Sequence, residues 1–289
     1  MTGWPPALGA RAETWEPTPL QLQTPSVARM YDYYLGGKDN FEVDREAANK
    51  VIAIYPDMPL MARENRRFLR RAVAYLAGTA GLRQFLDLGA GLPTRGNVHD
   101  VAISIAPESH VMYVDNDPIV VAHGRALLAD RDRTTIIQAD LRRPDEILKV
   151  ARTFLDFDEP VALLMSAVMH YIPDRDDPRG IIAHYRDALP AGSHLAISHV
   201  TADHHPEAAR AAEKVYRYTS APMFFRSYDE VLRMLDGFEL IEPGLTVKSL
   251  WRPHLPEDPP EGKAELWGYM EIPEGVSQQW GYAAVGIKR

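Results

Sequence analysis

The chain has 289 residues, 46% of them hydrophobic and 25% charged, a balance that excludes wholesale disorder, collagen and a coiled coil. At this length ~75% of the unfolded surface can be buried, so the core needs no disulfide or metal. Asp and Glu (40) outnumber Lys and Arg (32), giving a net charge of −8 and no global field for nucleic acid or an anionic membrane. With no cysteine, thiol nucleophiles, thiolate zinc sites and iron–sulfur clusters are excluded.

Residues 1–24, rich in Pro and Thr, read as a flexible tail with no basic region leading into an apolar run. The longest apolar stretch, PVALLMSAVM at 160–169, is far short of the ~20 residues that span a bilayer, and a cytoplasmic protein is expected. From Ser26 the pattern is helical, with Val27, Met30, Tyr31 and Tyr34 on one face, until Gly36-Gly37 breaks it. EVDREAANKVIAIY reads as a second helix closed by Pro56 and Pro59. A third runs from Ala62 to Ala77, with Phe68, Leu69, Ala72, Val73 and Leu76 as its apolar stripe. Residues 25–80 are thus expected to form a helical cap and 81–289 the core.

From residue 83 short apolar runs alternate with helical patterns. RQFLDLG, HVMYVDND, TTIIQAD, PVALLMSA and SHLAISHV read as strands; NVHDVAISIA, DPIVVAHGRALLAD and RGIIAHYRDAL read as helices. That alternation implies an α/β fold with a largely parallel sheet covered on both faces. The helix SYDEVLRMLDG, the strand FELIEPG, a surface excursion RPHLPEDPPEGKAE and a last strand GYAAVGIKR complete the chain.

Three consecutive strands end in Asp87, Asp115 and Asp140, and the first runs into Gly89-Ala90-Gly91. In such sheets ligands bind at the carboxyl ends of the strands. A dinucleotide loop wants a third glycine at position 94, where Thr stands. The carboxylate before the loop would repel a pyrophosphate but suits a cationic amino-acid moiety. Asp115 suits a ribose diol and Asp140 an adenine amino group. A ligand with ribose, adenine and a cationic tail is S-adenosylmethionine. Singly, each aspartate is as readily a turn or cap residue.

The motif F-L-D-L-G-A-G at 85–91 resembles the first motif of the Rossmann-like S-adenosylmethionine-dependent methyltransferases. More narrowly, the chain resembles an actinobacterial S-adenosyl methyltransferase family of unassigned substrate. The matching segments are Y-D-Y-Y-L-G-G-K-D-N-F at 31–41, G-L-P-T-R-G-N-V-H at 91–99, V-D-N-D-P at 114–118, H-Y-I-P-D at 170–174, G-S-H-L-A-I-S-H at 192–199 and W-R-P at 251–253. The resemblance implies a Rossmann-like fold of seven strands in the order 3-2-1-4-5-7-6, the last antiparallel, under a helical N-terminal cap. It implies S-adenosylmethionine as cofactor, S-adenosylhomocysteine as product and a small-molecule acceptor, with neither nucleic acid nor membrane as partner. Leu92-Pro93 stand where many members have a further glycine, and Thr94 is a candidate cap for the next helix.

The expected cofactor contacts are Asp87, Gly89, Ala90 and Gly91; Asp115 with Asn116; Asp140 with Leu141; Ser166 at the fourth strand end; and Tyr31, Tyr33, Gly37, Asn40 and Arg63 from the cap. The tyrosines and the glycine pair read as a lid, or as a helix packed on the sheet followed by a tight turn. His170 and His199, beside the fourth and fifth strand ends, are the candidate bases, each with the alternative of a packed structural ring. His99 is expected to fix the loop as a neutral ring. His199, Asp203, His204 and His205 lack the spacing of a metal motif, and no metal is expected. Arg63, Arg66, Arg67, Arg70 and Arg71 read as a solvated helix face rather than a phosphate or nucleic-acid contact, with Arg63 and Asn65 as exceptions where the cap meets the sheet. Trp251, Trp267 and Trp280 are candidates for an interface. The rival functions are a cofactor-binding sensor without chemistry and, against the net charge, a nucleic-acid methyltransferase.

Overall fold

Alternating strands and helices build one sheet with helices on both faces. The computed structural model describes residues 22–94, 96–128, 132–253 and 280–289. Most of the expected tail, the excursion from 254 onward and Trp267 lie outside the described residues. Three helices open the chain: α1 (Val27–Tyr34), α2 (Glu42–Ile54) and α3 (Met58–Ala74), the last ending in a wider turn over Tyr75–Thr79. Pro59, expected to close the second helix, instead sits in the first turn of α3, where no intrahelical N–H is needed.

The strands are β1 (Gln84–Leu88), β2 (His110–Asp115), β3 (Thr134–Gln138), β4 (Ala162–Ser166), β5 (His194–Val200), β6 (Glu239–Leu240), β7 (Thr246–Val247) and β8 (Gly281–Ile287). Between them run α4 (Val98–Ile105), α5 (Pro118–Leu128), α6 (Pro144–Ala151), α7 (Pro178–Ala188), α8 (Pro206–Tyr216) and α9 (Tyr228–Arg233). The order is β3-β2-β1-β4-β5-β8-β6, with β1 to β5 parallel and β8 antiparallel to its neighbours. This is the expected arrangement with one strand more, because the two-residue β7 also pairs with β8. The α4 cap is Asn97 rather than Thr94: the Asn97 N–H donates to Asp100 Oδ2 at 3.0 Å.

Successive strand residues point to opposite faces. On one face Leu86, Leu88, Met112, Val114, Leu163 and Met165 meet Ile147 of α6, Ile182 of α7 and Val231 of α9. On the other, Phe85, Val111, Tyr113, Ala162, Leu164 and Ala196 meet Phe68 and Val73 of α3, Val101 of α4 and Val121 of α5. A third cluster joins Met30 and Tyr34 of α1, Val51 of α2 and Tyr216 of α8 to Trp280. Trp251 and Trp280 are core residues, not interface ones: Trp251 is fully buried edge-on to Phe68, and Trp280 lies edge-on to Tyr55.

The first three helices close over the carboxyl ends of the strands. Asp44, fully buried, accepts the Ser26 and Phe41 N–H groups and pairs with Arg29 at 2.6 Å. The Ser26 hydroxyl donates to Asp117 Oδ2 at 2.8 Å, joining the start of α1 to the turn after β2.

Candidate active site

The turn after β1 brings the backbone close to the carboxyl end of β2. Gly89 and Gly91 have φ of +77° and +67°, a region that L side chains rarely adopt. A Cβ at Gly89 would lie 2.3 Å from Val168 Cγ2, so only glycine fits. The Gly89 N–H donates to Val114 O at 2.8 Å and the Gly91 N–H to Asp115 Oδ2 at 2.9 Å. The other Asp115 oxygen accepts the Asp117 N–H, and each keeps lone pairs for a ligand.

Asp87 and Asp115 are 5% and 8% exposed. Burial pushes Asp87 up to about 7, opposed by the Arg66 charge and reinforced by Asp115. Burial also pushes Asp115 up to about 6, against the backbone N–H groups it accepts. Neither carboxylate has an ion-pair partner among the described residues. Asp140 differs: burial opposes its ionisation, but hydrogen bonds from Arg142 outweigh it and hold the carboxyl below its ordinary value. Arg142 also bridges to Asp176 at 3.0 Å.

These groups line a cavity of about 440 Å³, within the range of small-molecule sites. Of the expected contacts, the cavity wall includes Asp87, Gly89, Ala90 and Gly91 from the first turn, Asp115 and Asn116 from the second, and Asp140 and Leu141 from the third. Ser166 and Tyr31 complete the set. Tyr33, Gly37, Asn40 and Arg63 do not line it. Tyr33 donates to Asn49 at 3.2 Å, while Asn40 and the Gly37 N–H bond Asp32 in a tight turn.

Asn65 and Arg66 are wall residues outside the expected set. Asn65 donates through Nδ2 to the Tyr31 hydroxyl and to Ser166 Oγ, both at 3.1 Å, and accepts from Ser198. It thereby ties α1 and α3 to the ends of β4 and β5. Their signal was available: 65, 66, 69, 72, 73 and 76 fall on one helical face, so a polar pair interrupts an apolar stripe. The arginine run is accordingly not a solvated face. Arg66, Arg70 and Arg71 are buried, and Arg71 donates to Lys248 O and Trp251 O.

The two candidate bases are corrected by burial. His170 and His199 are 3% and 1% exposed, and neither lines the cavity. His199 donates from Nδ1 to Val200 O at 2.7 Å and accepts from Arg226 at Nε2 at 3.0 Å. Burial above all drives it down to about 3, and drives His170 well below its ordinary value. Both rings therefore stay neutral at physiological pH. His99 is held in the core rather than against the glycine turn: its Nδ1 shares a hydrogen bond with the Tyr113 hydroxyl of β2 at 2.7 Å. Asp203 accepts from Tyr228 and Tyr282, and His205 stacks on Trp280.

At the carboxyl ends of the doubly wound sheet, a glycine turn and two buried carboxylates on adjacent strand ends line one cavity, where such sheets bind ligands. The comparisons name the family. The S-adenosyl methyltransferase family model matches residues 13–285, and the chain belongs to that family. A solved protein of the DUF574 family from Streptomyces avermitilis is 38% identical, with a TM-score of 0.83 over 93% of this chain and 100% of that one. A protein from Thermobifida fusca, assigned to the methyltransferases, is 38% identical, with a TM-score of 0.82 over 95% of this chain and 99% of that one. No curated protein matches the chain. The family's cofactor is S-adenosylmethionine, and the site's chemistry fits it: the ligand's positive charge answers two buried carboxylates that have no ion-pair partner among the described residues.

Proposed function

We propose that this enzyme transfers the methyl group of S-adenosylmethionine to a small-molecule acceptor. The observation that carries the reading is the pair of buried carboxylates, Asp87 and Asp115, lining the cavity with no ion-pair partner among the described residues. Bound there, S-adenosylmethionine supplies the electrophilic methyl on a sulfonium. Asp115 accepts from the ribose hydroxyls and Asp87 holds the ammonium of the methionine moiety. Asp140 and Leu141 border the adenine, and the Gly89–Gly91 backbone allows close approach. Tyr31, Asn65 and Ser166 surround the reacting end, exclude water and orient the acceptor.

The wall also carries Val27, Ala28, Ile172, Pro173 and Pro222, interspersed with Ser26, Arg29, Arg175 and Ser220. That wall, and the burial of Arg66, Arg70 and Arg71, support a small molecule over a nucleic acid. The test is calorimetric titration with S-adenosylmethionine and S-adenosylhomocysteine, with NAD as control. Binding of the first two alone is expected, and Asp115→Ala should weaken it by roughly tenfold or more, the cost of losing hydrogen bonds to a charged group. Unchanged affinity in that variant would sink the assignment. Both histidines lie off the wall, which favours catalysis by proximity over general-base catalysis, and also keeps the sensor alternative in view. Methyl transfer to any acceptor in a screen decides against the sensor.

A further inference from the structure

The cavity wall holds few groups that can take a proton. Its carboxylates among the described residues are Asp87, Asp115, Asp117 and Asp140, and none of those lining residues is a histidine, lysine or glutamate. On the cofactor reading, Asp87 and Asp115 face the ammonium and the ribose. Asp140 is held by Arg142, and Asp117, in the turn after β2, accepts the Ser26 hydroxyl and the Ile119 N–H. Tyr31 and Tyr171 keep their protons, since burial drives both hydroxyls above their ordinary value. Among the described residues, no side chain is left at the reacting end to deprotonate an acceptor.

The hydroxyls at that end are committed in one direction. Both Asn65 Nδ2 hydrogens are spent, on the Tyr31 hydroxyl and on Ser166 Oγ. Tyr31 sends its own proton to Ala62 O at 3.0 Å. Ser198, 1% exposed, donates to Asn65 Oδ1 and accepts the Ala167 N–H at 2.9 Å. The hydroxyl proton left over in this network is that of Ser166, which lines the cavity. Its competing acceptor, Ser198 Oγ, is 3.3 Å away, long for a pair of hydroxyls, and already makes two hydrogen bonds.

A free donor with no base beside it is selective. An amine has one lone pair, and a hydrogen bond from Ser166 would occupy the pair that must attack. An alcohol, or a phenol with its pKa of ~10, arrives protonated. A carboxylic acid, at ~4, arrives ionised, with one oxygen to accept from Ser166 and the other free to attack.

Resting on the methyltransferase reading above, we infer that the acceptor is a carboxylic acid, methylated to its ester, and that Ser166 donates the hydrogen bond that orients the carboxylate. One carboxylate oxygen forms the bond to the methyl carbon. The carbon–sulfur bond breaks and leaves its electron pair on sulfur, so that the sulfonium becomes a thioether. No proton is released, which is why a wall without a base suffices. The opposite charges of carboxylate and sulfonium draw the two together in a buried site.

The experiment incubates wild type with S-adenosylmethionine labelled in its methyl group and two acceptor sources. One is a deproteinised small-molecule extract of Streptomyces avermitilis, the source of a 38% identical relative; the other is a pool of aliphatic and aromatic carboxylic acids. Mild alkali then frees methanol from methyl esters and leaves methyl ethers and methylamines intact. Alkali-labile label is expected, and alkali-stable label alone would overturn the inference without any variant. Ser166→Ala should slow labelling by roughly 10- to 100-fold, from loss of a hydrogen bond to a charged group, while calorimetric affinity for S-adenosylhomocysteine stays within about threefold. Ser166→Thr, which keeps the hydroxyl, should retain more of the rate. Ester formation at full rate by Ser166→Ala, or an equal loss of S-adenosylhomocysteine affinity, would overturn the assignment of Ser166. Wild type that binds S-adenosylhomocysteine yet labels nothing from either source would overturn the transferase reading and this inference with it. Failure to bind S-adenosylhomocysteine would instead overturn the cofactor site itself.

Discussion

Asp87 holds a negative charge where the fold disfavours one. Its folded-state value of about 7 lies above its ordinary 3.8, so the folded state prefers the protonated form. The stability this contributes is complete below about pH 4 and is lost as pH rises through 7. Asp87→Asn should therefore raise the melting temperature of the ligand-free protein at pH 8 by at least about 2 °C, the shift that ~1 kcal/mol gives in a chain of this size. The gap should close near pH 4, while affinity for S-adenosylhomocysteine falls. Melting curves across that range check it, and a pH-independent gap would contradict the argument. Asp87 and Asp115 could be picked out in the sequence because both stand at strand ends before turns. The histidines misled for a local reason. Ser198 and His199 are neighbours at the end of β5, but alternation sends Ser198 to Asn65 and Ser166, and His199 to Arg226 on the other face.

Each element does a task its sequence only partly announces. The turn after β1 depends on Gly89 twice over, through its positive φ and through Val168. Gly89→Ala should lower stability by about 2 kcal/mol, the sum of left-handed strain and overpacking. Val168→Ala added to it should restore the steric part only; full rescue, seen in denaturant titration, would mean that φ costs nothing. Arg29 of α1 and Asp44 of α2 form a pair 3% and 0% exposed. Arg29→Met strands the charge and should cost ~3 kcal/mol or more, whereas Arg29→Met with Asp44→Asn, which removes the charge and keeps a side-chain oxygen for a backbone N–H, should cost less than the single change. Because Val27, Ala28 and Tyr31 belong to the cavity wall, the single variant should also weaken cofactor binding. The strand–helix alternation of the core was readable from apolar period and length. The helices α6 and α8 were missed, although each opens on a proline in its first turn. A two-residue strand such as β7 carries no pattern to read.

Over the whole molecule, the N-terminal helices lie at the carboxyl ends of the strands and the cavity there holds buried charged groups. Binding of a cation there favours the ionised forms of Asp87 and Asp115, which face Arg66 and Tyr113 within the wall and nearby core. Affinity for S-adenosylmethionine should thus fall by at least about tenfold between pH 8 and pH 5, as protons compete for the two carboxylates. Calorimetry at fixed ionic strength measures this, and a flat profile would show that neither group titrates in the free protein. Among the described residues no helix is long and apolar enough to cross a membrane. The sequence by itself determined the α/β class, the strand order through its family, the glycine turn and the acids at the strand ends, since each rests on residues close together in the chain. Only the tertiary structure decided that Asn65 and Arg66 face the cavity, that the arginine run is buried and that the histidines are neutral. Those outcomes depend on which face of α3 and β5 meets which distant partner, and on the burial that results; local periodicity defines a face but not what covers it.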